Sequence, residues 1–149
     1  MPECARSRAS IRLLVCLIAG LTTTSASART HEIHPGLDQI HAVLPLLTAR
    51  DSIRFVDGGR YEESATVTLP DVPLTFLAAP GLESPPVILT AGSMLLRIQS
   101  DLRLEGITFD GASKAEYAIY SQARRPNTLI VEDCQFHDIV GDAISGDPE

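Results

Sequence analysis

The sequence has too few cysteines to build a disulfide framework. Three occur among its 149 residues, and two of them, Cys4 and Cys16, fall in an N-terminal segment that has the pattern of a removable leader. Cys134 is then the single cysteine of the remainder, so no intrachain disulfide can form there. Its place in a sequence repeat, equivalent to that of Ile107, favours a small buried apolar side chain over a reactive thiol.

Long apolar runs are also missing. The longest, residues 13–21, has nine residues, whereas a helix that crosses a bilayer needs roughly 20. Three arginines precede this run and an Ala-Ser-Ala motif at 26–28 follows it, which is the order of regions in a secretory signal peptide. We therefore predict a signal peptide over residues 1–28, cleavage after Ala28, and a secreted or periplasmic mature chain without a membrane span.

Positive charge is scarce as well. The chain has 12 lysines and arginines against 19 aspartates and glutamates, a net charge of −7. Three of the arginines and one glutamate lie in residues 1–28, so the remainder carries −9. An acidic protein does not attract polyanions over a long range, which argues against a nucleic-acid partner. A local basic groove could still bind an acidic polysaccharide, and the exposed pair Arg124–Arg125 is the candidate for it.

Helical periodicity is confined to one short stretch. Apolar residues recur at helical spacing from Leu37 to Leu47, and Asp38 is a residue type that favours a helix N-terminus. Pro45 lies inside this pattern and has no amide proton, so we predict a kink or break near Leu44.

The chain after Leu47 alternates apolar and polar residues in short runs. Turn-forming sequences such as Asp57-Gly58 and Pro80-Gly81 interrupt the alternation every several residues, which is typical of short strands. The runs that we predict to be strands in this part are residues 51–56, 65–69, 72–77, 87–89 and 94–98.

One segment of the sequence is written twice. The pattern at 102–109, Leu-x-Leu-Glu-Gly-Ile-x-Phe, returns as Leu-x-Val-Glu-Asp-Cys-x-Phe at 129–136, a shift of 27 positions. Leu74 and Phe76 form a weaker upstream copy of Leu102 and Leu104, at a shift that is longer by one position. Repetition at a nearly fixed period predicts stacked units, each of which buries its apolar face on its neighbours.

The apolar positions within each copy change parity. Positions 102 and 104 share one parity and positions 107 and 109 the other, although alternate side chains of a single strand point to opposite faces. The change predicts a corner at Gly106 and, in the next copy, at Asp133, because both residue types tolerate a sharp bend. Residues 117–120 then supply a third short strand, matching 95–98 before them and 143–145 after them.

Leucine-rich repeats are the competing solenoid, but their pattern has an apolar residue three positions before the first leucine. Gln99 and Pro126 occupy those positions here. The pattern therefore predicts an all-β fold, a right-handed parallel β-helix of three to four coils.

The order of these motifs resembles the N-terminal part of the pectin lyase-like parallel β-helices. Within that family it looks closest to polysaccharide lyase family six, which contains alginate lyases and chondroitinase B. The motifs that carry the resemblance are the amphipathic helix, Asp-Ser-Ile-x-Phe at 51–55, Gly-x-Tyr-x-Glu-Ser at 59–64, Pro-Leu-Thr-Phe at 73–76, Val-Ile-Leu-Thr-x-Gly at 87–92 and Leu-x-Leu-Glu-Gly-Ile-Thr-Phe at 102–109.

The resemblance implies a capping helix at residues 37–47 and a β-helix domain at 29–149 that is the N-terminal portion of a longer one. In the similar lyases a lysine and an arginine act as base and acid beside a Ca²⁺ held by asparagine and glutamate, on coils deeper than this chain reaches. Lys114 is the only lysine and Asn127 the only asparagine. No catalytic residue is therefore carried over, and no cofactor is expected in this chain, with Ca²⁺ expected only in a full-length lyase-like protein.

Three functions follow as hypotheses. The first is the N-terminal part of a secreted polysaccharide lyase-like protein that cleaves alginate or glycosaminoglycan by β-elimination; the second is a non-catalytic carbohydrate-binding or surface module; the third is an inactive fragment. Whether the chain is an enzyme stays open. We also expect self-association through the last coil, because its backbone groups would offer a template for another strand.

The remaining candidate sites are clusters of polar side chains. His137 beside Asp138 has the residue types of a general base with its orienting carboxylate. If cleavage follows Ala28, His31 becomes the third residue of a free N-terminus, a geometry that can chelate Cu²⁺. We interpret the acidic residues near the end as a Ca²⁺ site or, more simply, as a solvated acidic edge. These residues are Glu132, Asp133, Asp138, Asp142 and Asp147.

Overall fold

The computed structural model describes residues 27–147. Over this range the chain winds through successive coils of short strands, with one short helix near the start. The elements in chain order are β1 (Thr30–Ile33), β2 (Gly36–Leu37), α1 (Gln39–Val43), a 3-10 turn (Leu44–Leu46), β3 (Ser52–Phe55), β4 (Arg60–Glu63), β5 (Val67–Thr68), β6 (Leu74–Ala78), β7 (Val87–Thr90), β8 (Met94–Ile98), β9 (Leu102–Glu105), β10 (Thr108–Asp110), β11 (Tyr117–Ser121), β12 (Leu129–Glu132), β13 (Gln135–His137) and β14 (Ile144–Gly146).

Three sheets run along the solenoid. Coil one contains β1 and β2, coil two β3 to β5, coil three β6 to β8, coil four β9 to β11 and coil five β12 to β14. The strand orders of the sheets are β1-β3-β6-β9-β12, β13-β10-β7-β4-β2 and β14-β11-β8-β5. Neighbouring strands in all three sheets are parallel. The predicted all-β parallel β-helix is therefore confirmed.

The number of coils differs from the prediction. The first two sheets have five strands each, so the described chain makes about five turns rather than three to four. The difference lies at the start, where no strand was predicted before residue 51. β1 pairs with β3 over its whole length, from Thr30 beside Ser52 to Ile33 beside Phe55, and β2 pairs with β4, so these two strands add a coil.

The register of the sheets follows the sequence repeat. Leu102 pairs with Leu129, its counterpart in the second copy, and Leu74 of the weaker copy pairs with Leu102. The predicted corners are also present: Gly106 has φ +72° and Asp133 has φ +51°, both in the left-handed region. The parity change in the sequence is thus a sharp turn between the first and second sheets.

The core lies in the centre of the solenoid. Inward apolar side chains of one coil pack on those at the equivalent position of the next coil. Phe55 packs edge-on against Tyr61, with ring centroids 4.8 Å apart, and Phe109 stacks on Phe136 at 5.3 Å. Phe109 is fully buried, whereas Phe136 is half-buried, since coil five has a neighbouring coil on one side only within the described residues.

Cys134 occupies the predicted inward position but is half-buried rather than buried, for the same reason. Burial raises the pKa of its thiol, and hydrogen bonds from the corner backbone only partly offset this effect. A thiol with a raised pKa is a poor nucleophile, in keeping with a packing role.

The helix is shorter than the sequence pattern predicts. Leu37 belongs to β2 and is 63% exposed, while Ile40 is fully buried. The predicted break at Leu44 is confirmed, because α1 ends at Val43 and the chain continues as a 3-10 turn that contains Pro45. In coil one this helical segment follows β2, and no strand of coil one joins the third sheet.

Two of the four glycines with positive φ within residues 27–147, Gly81 and Gly106, test how tightly the corners are packed. Gly81 (φ +78°) has open space where a Cβ would stand, but a Cβ on Gly106 would lie 3.2 Å from that of Ala78. Gly81→Ala should lower the free energy of unfolding by about 1 kcal/mol, the strain of the backbone alone. Gly106→Ala adds a steric conflict and should lower it by about 2 kcal/mol. Denaturant unfolding of both variants measures this; equal losses would mean that the corner is not crowded.

Candidate functional site

The acidic residues of coil five do not form a metal site. Glu132 points outward and pairs with Arg103, while Asp133 and Asp138 are corner residues with positive φ. Asp147 accepts a hydrogen bond from the Tyr120 hydroxyl on the neighbouring coil. Their carboxylates do not converge, so they supply no set of Ca²⁺ ligands and are better described as a solvated edge.

His137 does not pair with Asp138. Its Nε2 lies 3.2 Å from the amide oxygen of Gln135, and the side chain is exposed. The arrangement therefore lacks the oriented imidazole that a general base requires.

The pair Arg124–Arg125 lies on a polar corner between the third and first sheets. Arg125 is 81% exposed and 3.8 Å from the Asp71 carboxylate. It borders a cleft of about 300 Å³ shared with Asn127, and Arg124 borders a second cleft of about 370 Å³. We call this surface the arginine corner; its residues are Gln99, Gln122, Arg124, Arg125 and Asn127. Three carboxylates, those of Asp71, Asp101 and Asp147, line the same two clefts.

Asn127 holds the arginine corner in place. Its Nδ2 donates to the carbonyl oxygen of Ser100 at 3.2 Å, and its Oδ1 accepts from the Ser121 hydroxyl at 3.3 Å. The corner thus offers amide and guanidinium donors on a backbone that is tied to the preceding coil. Such donors suit hydroxyl and carboxylate groups of a polysaccharide.

A second groove, of about 410 Å³, lies along the outer face of the second sheet. Lys114 and Arg60 line it together with Glu62 and Glu63. Arg60 donates to Glu62 at 3.3 Å, so its charge is already balanced. This groove therefore holds two cations and two carboxylates.

His31 is held against Asp51 rather than free to chelate a metal. Its side chain is 15% exposed and its Nε2 lies 3.3 Å from Oδ2 of Asp51. The backbone around it forms β1, so a chelate built from these residues would have to break the first rung. The structure therefore does not favour the Cu²⁺ hypothesis.

Asp51 is a fully buried carboxylate with four hydrogen-bond donors. Oδ1 accepts from the backbone nitrogen of Arg29 at 2.8 Å. Oδ2 accepts from the amide of Thr48 at 2.9 Å and from its hydroxyl at 3.0 Å, and it lies next to His31. Burial alone would raise the pKa of this carboxyl, but the amides of Arg29 and Thr48, with His31 and the Thr48 hydroxyl, outweigh it and hold the pKa well below the usual range.

A second buried carboxylate anchors the helix. Glu63 is 2% exposed, and its Oε1 accepts from the amide of Ile40 at 2.8 Å. Its Oε2 accepts from the amide of His41 at 3.3 Å and lies 2.5 Å from Nδ1 of the same residue. Glu63 on coil two therefore satisfies the first amides of α1, the groups that a helix leaves unpaired.

Asp38 does not cap the helix with its own side chain, although it is the residue before α1. Its Oδ1 accepts from the amide of Ser64 at 2.7 Å, and this bond is the main reason that its pKa is lowered. Asp38 of coil one thus accepts a hydrogen bond from coil two, and Glu63 of coil two accepts hydrogen bonds from coil one.

Within residues 27–147, one set of three potential metal-ligating side chains has its ligand atoms within 4.8 Å of one another. It consists of Asp38, His41 and Glu63. Both oxygens of Glu63 are already bonded to helix amides, however, and only His41 and Asp38 are partly exposed. The geometry is that of an anchor for α1.

Sequence reasoning missed both buried carboxylates. Glu63 had one detectable signal, since it lies two positions after Tyr61 in β4 and so shares its inward face. Asp51 had the same kind of signal, since it lies two positions before the buried Ile53 in the predicted strand 51–56. Its hydrogen-bond partners could not be inferred from the sequence. Its burial depends on Arg29 and His31, which precede it by 22 and 20 residues.

Removing the Glu63 carboxylate should detach the helix. Glu63→Ala leaves two amides at the start of α1 without an acceptor, and we expect the free energy of unfolding to fall by about 2 kcal/mol. Glu62→Ala, one position away on the exposed face, should change it by about 0.5 kcal/mol or less. Hydrogen exchange of residues 39–46 should accelerate in the first variant alone; equal protection in both would show that Glu63 does not anchor α1.

Comparisons with known proteins identify the fold. No family model matches the chain, and no curated protein sequence matches it. Among solved structures, the PL6 family alginate lyase AlyGC superposes with a TM-score of 0.62 at 22% identity, over 74% of this chain and 16% of that enzyme. The fold is that of a PL6-like β-helix. A variant structure of the same lyase gives a TM-score of 0.61 at 19% identity, over 80% of this chain and 19% of that one.

The chain therefore spans less than a fifth of the length of the lyase that it resembles. Identity at this level establishes the shared fold. Within residues 27–147, no helix is long and apolar enough to span a bilayer.

Proposed function

We propose that this chain is the N-terminal part of a secreted polysaccharide lyase-like protein that acts on a uronic-acid polysaccharide, alginate or a glycosaminoglycan, by β-elimination. The observation that carries the proposal is the superposition of most of the chain on a PL6 family alginate lyase. The motif order quoted from the sequence, which resembles the start of alginate lyases and of chondroitinase B, supports it independently.

The reaction sets requirements that the described residues meet only in part. β-Elimination removes the proton next to the uronate carboxyl group and expels the glycosidic oxygen, so it needs a base, a cation at the carboxylate and a proton donor. We propose Arg124 and Arg125 of the arginine corner as the cations that bind a uronate carboxylate. We assign no base to residues 27–147, and we propose that the reacting residues belong to further coils of a longer protein.

A Ca²⁺ site, like the catalytic base, is not assigned to this chain. The carboxylates of coil five do not converge, so they do not fit a Ca²⁺ ion. We therefore route no step through a metal in this chain. Any Ca²⁺ would belong to the longer lyase-like protein.

The deciding experiment is a lyase assay on the longest natural form of the protein. Incubation with alginate, with dermatan sulfate and with a neutral glucan should produce the ultraviolet absorbance of unsaturated uronate with one of the acidic substrates only. A folded full-length protein that releases no unsaturated product from either acidic polymer would overturn the proposal.

The second candidate is a non-catalytic carbohydrate-binding module, favoured by the arginine corner. Replacing Arg124 and Arg125 together by alanine should weaken alginate binding by about tenfold, because two exposed cations facing a polyanion are lost. Arg54→Ala is the matched control, since that arginine is already paired with Glu32 at 3.4 Å. Equal affinities of both variants and the wild type would exclude the arginine corner as the binding surface.

We retain two further expectations as proposals. α1 closes the open end of coil one, supported by the burial of Ile40 and by the contacts from Glu63. For the second candidate, the module without further coils, coil five mediates self-association, supported by the exposure of Val140 and Ile144, 67% and 47%. Sedimentation of the chain at increasing concentration tests this self-association; a strictly monomeric species would contradict it.

A further inference from the structure

Asp51 carries a buried charge that lacks a permanent cationic partner. Within residues 27–147 no lysine or arginine side chain pairs with it, and its one ionic neighbour, His31, is charged only when protonated. Buried charges are normally paired with an opposite charge as well as hydrogen-bonded, and Asp51 has the hydrogen bonds but no permanent cation among the described residues. The missing positive charge is therefore a feature to explain.

The atom closest to supplying that charge is a backbone nitrogen. The amide of Arg29 lies 2.8 Å from Oδ1 of Asp51, and the carbonyl of the same residue accepts from the amide of Ser52 at 2.8 Å. Arg29 is thus held on both sides at the entrance to β1. It is also the residue that follows the predicted cleavage site.

Hydrolysis of the Ala28–Arg29 peptide bond would change the chemistry of this nitrogen. Water adds across the bond: the hydroxyl goes to the carbonyl carbon of Ala28, and the hydrogen goes to the nitrogen of Arg29. The resulting amine takes one more proton from solvent at neutral pH, since the pKa of an α-amino group is about 8. A neutral amide donor thereby becomes an ammonium group at the same place.

We propose that Asp51 is the binding site for the α-ammonium group of a mature chain that begins at Arg29. The ion pair locks the new N-terminus, at the start of coil one, onto coil two and supplies the cation that the buried carboxylate otherwise lacks. The proposal rests on the secretion proposed above, with a peptidase of the secretory route as the hydrolase. It also gives His31 a role, because that imidazole completes the other side of the same carboxylate.

The site distinguishes Arg29 from its neighbours as the first residue. Consecutive Cα atoms are about 3.8 Å apart, so cleavage one residue earlier moves the ammonium group out of hydrogen-bond reach of Asp51. Cleavage one residue later removes the bonded nitrogen altogether. A charge-assisted bond is roughly twice as strong as the neutral one that it replaces, which makes the difference measurable.

The experiment compares chains that end at Glu149 and differ only at the start. Each is released from a cleavable fusion with Arg29 free, with Arg29 acetylated, or with Ala28 as the first residue. We expect the free Arg29 chain to melt about 4 °C higher than the other two. The same series with Asp51→Asn should melt at one common temperature, whereas Asp57→Asn, at an exposed carboxylate, should keep the difference.

Two outcomes would overturn the proposal. One is an equal melting temperature for the three wild-type chains, which would show that the ammonium group adds nothing. The other is a mature N-terminus, read by mass spectrometry after export with the native leader, at a residue other than Arg29. If the chain is not exported at all, secretion fails while the melting series still reports on the Asp51 site. If Asp51→Asn does not fold, acetylation alone decides.

Discussion

Phe109→Ala should lower the free energy of unfolding by about 4 kcal/mol, and Phe136→Ala by about half as much. The two phenylalanines occupy the same position of two successive repeats and pair with each other across β10 and β13. Phe109 is fully buried between Ile88 and Phe136. Its removal leaves a cavity enclosed on both sides, whereas removal of Phe136 leaves a site that is already partly open.

Comparing the two variants separates the effect of burial from the effect of side-chain chemistry. Both variants delete the same atoms from the same kind of strand, so the difference in free energy reports on the neighbouring coils alone. Denaturant unfolding followed by circular dichroism measures it. Equal losses in the two variants would contradict the stacked core, because they would show that coil three contributes nothing to the environment of Phe109.

Asp51→Ala should lower the free energy of unfolding by about 3 kcal/mol at neutral pH. The substitution leaves the amides of Arg29 and Thr48, the Thr48 hydroxyl and the His31 ring without their acceptor in a buried site. Asp57→Ala is the control. That carboxylate is 56% exposed and, within residues 27–147, contacts His34 alone among side chains, at 2.8 Å, so its loss should change the free energy by about 0.5 kcal/mol or less.

The pH dependence gives the Asp51 prediction a second readout. The pKa of Asp51 is lowered in the folded chain, so the unfolded chain binds this proton more readily. The stabilisation is therefore complete above the ordinary aspartate pKa of about 4 and is lost as the pH falls below it. Wild-type stability should decline more steeply than that of Asp51→Ala between pH 5 and pH 2, about the range of this titration. Parallel curves would show that Asp51 is not ionised with a lowered pKa.

The architecture was accessible from the sequence because a solenoid repeats its local pattern. Leu102 and Leu129 lie on the same face one coil apart, and the parity change after Leu104 marks a real corner at Gly106. The coil count was wrong because the first coils are shorter than the repeat. Thr30 pairs with Ser52 and Ser52 with Thr75, steps of 22 and 23 positions, whereas Leu102 pairs with Leu129 at 27, so the period of the later coils does not extend to β1.

The acidic residues of coil five show the limit of inferring a site from neighbouring positions. Asp133 and Asp138 are close in sequence, but each is a corner residue with a positive φ. Aspartate is favoured at such corners for its tolerance of that backbone. These two members of the cluster are thus turn residues, and the carboxylates of coil five do not converge.

The sequence by itself determined the period of the coil, the short parallel strands and the corners, because each depends on which residues recur at one position of the repeat. Only the tertiary structure decided the roles of Asp51 and Glu63. Both are buried by contacts from the preceding coil, 20 to 23 residues earlier in the chain. Whether a carboxylate is solvated or buried depends on which groups of the adjacent coil lie opposite it. The linear sequence does not show which groups those are.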